Sequence, residues 1–286
     1  MSWDSWELAW RAHALTSGFR RRLSAAIEVA RSAGSKGRLF CSLSGGKDSV
    51  AMAGVLVEAG LAETVPLVYA HSALNFPDTP KVVDAVADKI NMELRVIEPS
   101  SIRKQVEDAC AFYGLPVPAV MSAPYSEWDL LEAIPKDRDI TETMKYVYRA
   151  CAAGNMLVAY TYEEDFDGSF VGLRAEESSG RSRYAAFCGY DHKSAIDGKR
   201  QVCPLLAWTG ADVFAMILTR ELPMHPFYRK AYESGLADDD PTRIRVDLTI
   251  TPGSVAAKGG MALINRVYPS HFKRLASIRP ELKQYI

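Results

Sequence analysis

The sequence predicts an α/β fold: a doubly wound, mostly parallel five-stranded sheet with a helical N-terminal lead-in and an irregular or helical C-terminal extension. Two observations lead to this prediction. An apolar run at residues 39–43 is followed by a turn with two adjacent glycines and then by helix-forming residues 50–59. Apolar runs of strand length then alternate with amphipathic stretches, which is typical of parallel strands joined by crossover helices.

The individual elements follow from hydrophobic periodicity and from turn residues. Strands are predicted at residues 38–43, 65–70, 94–97, 169–173 and 204–208. Helices are predicted at residues 3–33, 50–59, 80–91, 100–113, 141–162 and 209–222. Residues 184–204 are predicted to form a hairpin that turns at Asp197-Gly198, a dipeptide that favours tight turns.

The predicted elements divide the chain into three regions. Residues 1–37 form a helical N-terminal segment, residues 38–228 an α/β domain and residues 229–286 a C-terminal extension. Within the α/β domain, residues 114–138 contain four prolines, which exclude one long helix. We expect this stretch to be an insertion that could close over a ligand.

Composition excludes several classes of protein. The chain has 286 residues, 48% hydrophobic residues and a net charge of -1, as expected of a soluble globular protein. No apolar run reaches membrane-spanning length, and the five cysteines form no C-x-x-C pair, so a reduced cytoplasmic location is expected. Residues 11–38 and 243–283 are basic; these are either solvated helix faces or a surface for a phosphate-rich partner.

The glycine turn is the strongest candidate for a functional site. Ser44-Gly45-Gly46-Lys47-Asp48-Ser49 joins the first strand to the next helix, whose first amides have no partner inside the helix. A phosphate would accept hydrogen bonds from those amides and from Lys47. We expect Lys47 and Asp48 to lie on a surface loop. The spacing excludes both the Walker loop and G-x-G-x-x-G. The alternative is a Ser-capped helix start with chance glycines.

Five segments together resemble one family. Residues 44–49 resemble the S-G-G-x-D-S pyrophosphate loop of the ATP pyrophosphatase and adenine-nucleotide alpha-hydrolase superfamily. Residues 76–79 and 172–181 are similar to the F-P-E-T and G-x-R-x-x-E-S-x-x-R elements of phosphoadenosine-phosphosulfate (PAPS) reductase-like proteins. Residues 204–213 and 223–228 resemble their P-x-x-x-W-x-x-x-D-V helix and P-x-H-P-x-Y exit.

The resemblance implies that ATP or a sulfonucleotide lies across the carboxyl ends of the strands in residues 38–228. It assigns the phosphates to Ser44, Gly45, Gly46, Lys47, Asp48 and Ser49, and the adenosine border to His71, Ser72 and Gly172. It places Arg174 and Arg181 at the anionic end of the ligand. Lys47, Asp48, Arg174 and Arg181 become the candidate catalytic residues, and Asp48 a candidate Mg²⁺ ligand. Two alternatives stay open: ion pairs of both arginines with Glu176 and Glu177, and a structural role for His71.

Two departures from the family bear on the reaction. His71-Ser72-Ala73 replaces the acid-Thr-Gly run that commonly follows the second strand. PAPS reductases use a cysteine in a C-terminal E-C-G-x-H motif, whereas the last cysteine here is Cys203. Because reductive cleavage needs a thiolate, the sequence favours ATP chemistry at the α-phosphate with Mg²⁺.

The favoured function is therefore an ATP pyrophosphatase that adenylates an acceptor in sulfur transfer or nucleic-acid modification, as in DNA phosphorothioation ATP pyrophosphatases. The alternatives are a sulfonucleotide reductase or sulfate-activation relative, and a non-catalytic nucleotide-binding subunit. The candidate general bases are Asp48, His71 and Glu177. Expected partners are DNA or tRNA, a sulfur-donor protein such as a cysteine desulfurase, and a second copy of the chain in a homo-oligomer.

Overall fold

The computed structural model describes residues 1–71, 75–97, 164–194, 198–235, 240–246 and 262–278, together with Leu157. The predicted helices at 100–113 and 141–162, apart from Leu157, and the predicted insertion at 114–138 lie outside these residues. Ser72 and Asp197 lie outside them as well.

The N-terminal segment consists of two helices, α1 (Trp3–His13) and α2 (Ser17–Gly34). The prediction of one helix over residues 3–33 was wrong. Thr16 starts a new helix, because its backbone is extended and its side chain accepts a hydrogen bond from the Phe19 amide. This arrangement satisfies an amide that would otherwise lack a partner at the start of α2.

The α/β region alternates strands and helices as the hydrophobic pattern predicts. Its elements are β1 (Leu39–Ser42), α3 (Lys47–Glu58), β2 (Leu67–Ala70), α4 (Thr79–Ile90), β3 (Leu94–Ile97), β4 (Gly168–Phe170), α5 (Ser179–Cys188), β5 (Asp191–Lys193), β6 (Arg200–Val202) and α6 (Gly210–Thr219). They are followed by α7 (Phe227–Glu233) and α8 (Pro269–Ile278), and single 3-10 turns lie at Ala175–Glu177 and Pro241–Arg243.

The described strands form one sheet in the order β3-β2-β1-β4-β6-β5. Five of them run parallel, and β5 pairs antiparallel with β6. The predicted α/β class and mostly parallel sheet are confirmed. The sheet has six strands rather than the predicted five, because β5 and β6 both join it, whereas the predicted strand at residues 204–208 does not form. From β1 the chain moves outward through β2 and β3 and then returns to the other side of β1 at β4. Ligands of such sheets bind at the carboxyl ends of the two strands where this reversal occurs.

Around β6, the predicted strand at residues 204–208 was wrong, and the predicted hairpin was confirmed over a shorter range. Residues 204–208 form a turn, because the Leu206 and Trp208 amides donate to Cys203 O and Leu205 O. Trp208 is buried in this turn rather than in a strand. The predicted hairpin at 184–204 is shorter than expected, because residues up to Cys188 belong to α5, which Ser178 caps. Only β5 and β6 form the hairpin.

Two buried clusters hold these elements together. The first lies around the sheet and includes apolar side chains of α2, α3, α4 and α6. The second is rich in aromatic residues, with Trp10 of α1 stacked on Phe214 of α6 at 4.1 Å between ring centroids. Ile244 and Phe272 from the C-terminal region join it. Its members come from all three predicted regions, whose boundaries stay a prediction.

No helix within the described part of the chain is both long enough and apolar enough to cross a membrane.

Candidate functional site

The glycine turn forms a compact loop between β1 and α3. Gly45 has φ 75°, a left-handed conformation that glycine adopts without strain. Gly46 is the N-cap of α3 and supplies no side-chain acceptor to the helix amides. Ser49 fixes the loop, because its hydroxyl accepts from Ser44 N at 3.1 Å and donates to Gly46 O at 2.9 Å. The start of α3 is therefore shaped to present amides at the carboxyl edge of the sheet.

The exit of β4 lies directly against this loop. A Cβ atom at Gly172 would be 2.6 Å from the backbone oxygen of Asp48, so only glycine fits there. This close approach brings Arg174 beside the first turn of α3. The predicted convergence of the loop with the arginine element is therefore present in the structure.

A network of buried charges joins these two segments. Arg174 is only 2% exposed; its Nε donates to the Asp48 carboxylate, and its terminal nitrogen donates to Glu176 Oε2 at 2.7 Å. Lys47 Nζ lies 3.4 Å from the second Asp48 oxygen. Asp48 is therefore contacted by cations on both oxygens.

Lys47 is buried, which contradicts the expectation of a surface position. It is 2% exposed because later parts of the chain cover it. Its backbone amide donates to the Tyr228 hydroxyl at 2.7 Å, and its Nζ donates to Ile244 O at 2.9 Å. Burial lowers the pKa of Lys47; Asp48 opposes this shift, and the positive charges of Arg174 and Arg245 add to it.

The two predicted arginines make ion pairs with nearby glutamates. Arg181 on α5 pairs with Glu177, and Arg174 approaches the same carboxylate at 4.0 Å in addition to its contact with Glu176. These are the ion pairs that the sequence left open as an alternative. The arginines therefore lie at the same edge as the loop, and their role in ligand binding stays a prediction.

His71 follows β2 at the same edge of the sheet. Its amide donates to Ile97 O at 2.9 Å, and its half-buried ring lies 6.0 Å from the ring of Tyr69. The backbone contact continues the β2–β3 pairing by one residue and does not depend on the side chain, so both the structural role and the ligand role of the His71 ring stay predictions.

The sequence analysis missed the roles of Tyr228 and His225. The Tyr228 hydroxyl is buried, and burial raises its pKa, so it stays a neutral phenol. His225 Nδ1 accepts from the Phe227 amide at 3.1 Å, which leaves Nε2 to donate to Thr79 Oγ1 at 3.2 Å. Burial lowers the His225 pKa to about 4. The P-x-H-P-x-Y pattern was the available signal, but it was used only to identify the family.

Among the described residues, few side chains are candidates for binding a metal ion or for acting as a reactive thiolate. There, no three His, Cys, Asp or Glu side chains are grouped as a metal site, and Asp48 is already held by two cations. Burial raises the pKa of Cys41 and of Cys203 to about 12, so both thiols are protonated at neutral pH. Cys110 and Cys151 lie outside the described residues.

The mostly parallel sheet and the glycine turn at its strand reversal define an α/β protein in which the start of α3 lies at the carboxyl edge of the sheet. The chain belongs to the phosphoadenosine phosphosulfate reductase domain family, whose model matches residues 38–235.

Two solved structures are similar to this chain. One is a phosphoadenylyl-sulfate (PAPS) reductase from Candida auris in a phosphate complex, with 15% identity, a TM-score of 0.49 and coverage of 83% of this chain and 94% of that chain. The other is the U34-tRNA thiolase NcsA from Methanococcus maripaludis with its [4Fe-4S] cluster, with 14% identity, a TM-score of 0.46 and coverage of 93% and 80%. No curated protein matches the sequence.

Proposed function

We propose that the chain is an ATP pyrophosphatase that cleaves at the α-phosphate and adenylates an acceptor. The observation that carries the proposal is the loop between β1 and α3 together with Lys47, Asp48 and Arg174 at its side. Helix amides and two buried cations could bind a polyphosphate, because they would stabilise its negative charge in a site from which water is excluded. The same arrangement has no thiol among the side chains described at the loop.

In this reaction the loop holds the β- and γ-phosphates of MgATP, with the Mg²⁺ carried in by the substrate. An oxygen of the acceptor attacks the α-phosphorus, and a new P–O bond forms. The bond from the α-phosphorus to the bridging oxygen breaks, and pyrophosphate leaves with that electron pair. Lys47 and Arg174 stabilise the charge that develops on the leaving group.

The acceptor proton must pass to a base. Asp48 is poorly placed for this step because both of its oxygens contact cations. Glu177 is disfavoured for the same reason, because it pairs with Arg181 and lies 4.0 Å from Arg174. His71 at the carboxyl edge of the sheet is therefore the first candidate. The persulfide of a sulfur-donor protein such as a cysteine desulfurase would then attack the acceptor atom bonded to the adenylated oxygen: a bond to sulfur forms, the bond to the AMP oxygen breaks, and AMP leaves with that electron pair. An external thiol would reduce the S–S bond that remains and release the donor protein. DNA or tRNA is the proposed acceptor class.

A sulfonucleotide reductase is the second candidate, and the family match favours it. It requires a thiolate that attacks sulfur. Of the cysteines that the structure describes, Cys41 and Cys203 are buried with raised pKa values, and Cys188 is half-buried on α5. These environments disfavour a reactive thiolate at the loop, so we place ATP chemistry first.

Pyrophosphate release from ATP with Mg²⁺ tests the proposal. Ser49→Ala removes the hydroxyl that fixes the loop, and we expect at least a tenfold loss of turnover. The matched control is Ser35→Ala, which loses one exposed hydrogen bond at the end of α2 and should keep wild-type turnover. Stimulation by DNA or by tRNA would identify the acceptor class.

Other outcomes would favour the alternatives. Sulfite release from PAPS with thioredoxin, without pyrophosphate from ATP, would establish the reductase. ATP binding without pyrophosphate release, even with nucleic acid and a sulfur donor present, would indicate a nucleotide-binding subunit.

A further inference from the structure

Residues 240–246, which we call the strap, contact Lys47 in the glycine turn. We call this turn, residues 44–49, the phosphate loop after its proposed ligand. The strap begins with a compact turn, in which Asp240 accepts from the Thr242 amide at 2.9 Å and from its hydroxyl at 2.7 Å. Ile244 then inserts into the aromatic cluster and is 5% exposed. The strap is therefore an ordered segment with its own cap and its own apolar anchor.

The strap contacts donors that a phosphate would need. Ile244 O accepts from Lys47 Nζ at 2.9 Å. The backbone of Val246 hydrogen-bonds the Tyr228 hydroxyl, which also accepts from the Lys47 amide. The strap thus contacts the Lys47 ammonium directly and the Lys47 amide only through the Tyr228 hydroxyl.

The strap also adds a cation to the site. Arg245 donates to Glu177 O at 2.8 Å, and its charge is one of the causes that lower the pKa of Lys47. Lys47 and Arg174 therefore have a third positive charge nearby. Of the carboxylates that the structure describes, Asp48 is the one in contact with both Lys47 and Arg174, so a third cation nearby favours a further anion at this site or a strap that moves away.

We propose that the strap is a displaceable latch whose Ile244 carbonyl competes with a ligand phosphate for Lys47. Because Lys47 is 2% exposed while the strap is seated, a phosphate reaches its ammonium only when the strap moves away. The bond from the Lys47 ammonium to the Ile244 carbonyl has one charged partner. A bond to a phosphate oxygen has two partners of opposite charge and adds an ion pair, so a polyphosphate displaces the carbonyl. This inference rests on the phosphate-binding part of the proposed function and does not need the chemistry.

One substitution loosens the strap without changing the loop. A Cβ atom at Gly210 would lie 2.4 Å from Thr242 Cβ, so in Gly210→Ala one of the two segments must shift. We expect the strap to move, because α6 is packed in the main core. The Gly210 amide, which donates to Glu176, is kept. The matched control is Gly18→Ala in α2, where the new Cβ has an ordinary contact of 3.5 Å. Thr242→Gly is a second variant. It removes the hydroxyl that donates to Asp240 and makes the backbone of the strap more flexible.

The experiment combines calorimetric titration with ATP and hydrogen exchange at the amides of residues 244–246. We expect ATP to accelerate exchange of these amides in the wild-type chain. Gly210→Ala and Thr242→Gly should bind ATP about tenfold more tightly than wild type, and Gly18→Ala should match wild type. If one loosened variant does not fold, the other and the wild-type exchange rates carry the test.

Three outcomes would overturn the inference. If ATP binds and slows exchange in the strap, or if both loosened variants bind more weakly, the strap is part of the ligand site rather than its competitor. If ATP binds and exchange is unchanged, the strap is a fixed cover, and the proposed function stands without it. If neither wild type nor a loosened variant binds ATP, both the latch and the proposed function fail.

Discussion

Two buried charge networks lie in this molecule, and they differ in how completely they are satisfied. Asp212 at the start of α6 is fully buried and accepts from His13, from two nitrogens of Arg22, and from the amide and hydroxyl of Thr209. At the phosphate loop, two buried cations, Lys47 and Arg174, meet around one carboxylate. The Asp212 network is complete within the chain.

The cluster at the loop has a surplus of positive charge. It contains four cations and three carboxylates: Lys47, Arg174, Arg181, Arg245, Asp48, Glu176 and Glu177. Glu176 and Arg245 are exposed and Arg181 is half-buried, so the surplus lies at the solvent side of the cluster, where an anion can approach it. The first network therefore orders the N-terminal helices, and the second is suited to a phosphate.

The largest expected loss of stability comes from a substitution in the Asp212 network. Asp212→Ala leaves Arg22 without its partner and uncaps α6, so we expect a loss of about 3–5 kcal/mol in the free energy of unfolding. Denaturant titration measures it, with Asp84→Ala at an exposed position of α4 as the control. A loss below about 1 kcal/mol would mean that the Asp212 contacts contribute little to stability.

The next effect is acid sensitivity at His225, which contacts the loop through Thr79. Its folded pKa of about 4 lies below the unfolded value of 6.5, because burial disfavours the charged ring. The neutral ring's contribution to the free energy of unfolding is complete above pH 6.5. As the pH falls toward 4, the free energy of unfolding decreases by about 3 kcal/mol in total. Denaturant titrations between pH 7 and 4 measure this loss.

His225→Asn is the control, because asparagine can keep the acceptor for the Phe227 amide without titrating. We expect the variant to show a flatter pH profile in that window. Asp212 titrates in a different range: burial alone would raise its pKa, but the bonds from Arg22, Thr209 and His13 hold it below 3.8. Equal slopes for His225→Asn and wild type would contradict the assignment.

The fold class could be predicted because local patterns determine it. The glycine turn and the apolar runs predicted β1, β2, β3 and the phosphate loop, which depend on neighbouring residues. Residues 204–208 were misassigned because an apolar run is compatible with a buried turn as well as with a strand. The break at Thr16 was missed because helical periodicity continues on both sides of it.

The site was only partly predictable. The loop and the arginines were found from motifs that are contiguous in sequence. Tyr228 and Ile244 could not be assigned, because their contacts with Lys47 span 181 and 197 residues. The burial of Lys47 follows from those long-range contacts, so no local pattern indicates it.

A smaller effect separates the two networks directly. Asp48→Asn removes the charge between Lys47 and Arg174, and we expect a loss of about 1–2 kcal/mol in the free energy of unfolding. Pyrophosphate should restore this loss, because a ligand at 100 times its Kd adds about 2.7 kcal/mol. The same ligand should leave the deficit of Asp212→Ala in place. Thermal unfolding with and without pyrophosphate measures both, and equal rescue of the two variants would remove the distinction between the networks.

The smallest effect on stability is expected for Lys47→Met, which conserves volume and removes a buried charge. The ammonium is desolvated and repelled by Arg174 and Arg245, so its loss should change the free energy of unfolding by less than about 1 kcal/mol. The affinity for ATP should nevertheless fall about 10- to 100-fold, because a charge-assisted contact with phosphate is worth about 1.5–3 kcal/mol. Calorimetric titration measures it, with the exposed Lys89→Met as the control. A small effect on stability together with a large effect on affinity would mean that Lys47 serves ligand binding rather than folding. If Lys47→Met instead unfolds the chain, and binds ATP normally once it is stabilised, then Lys47 is only the anchor of the strap.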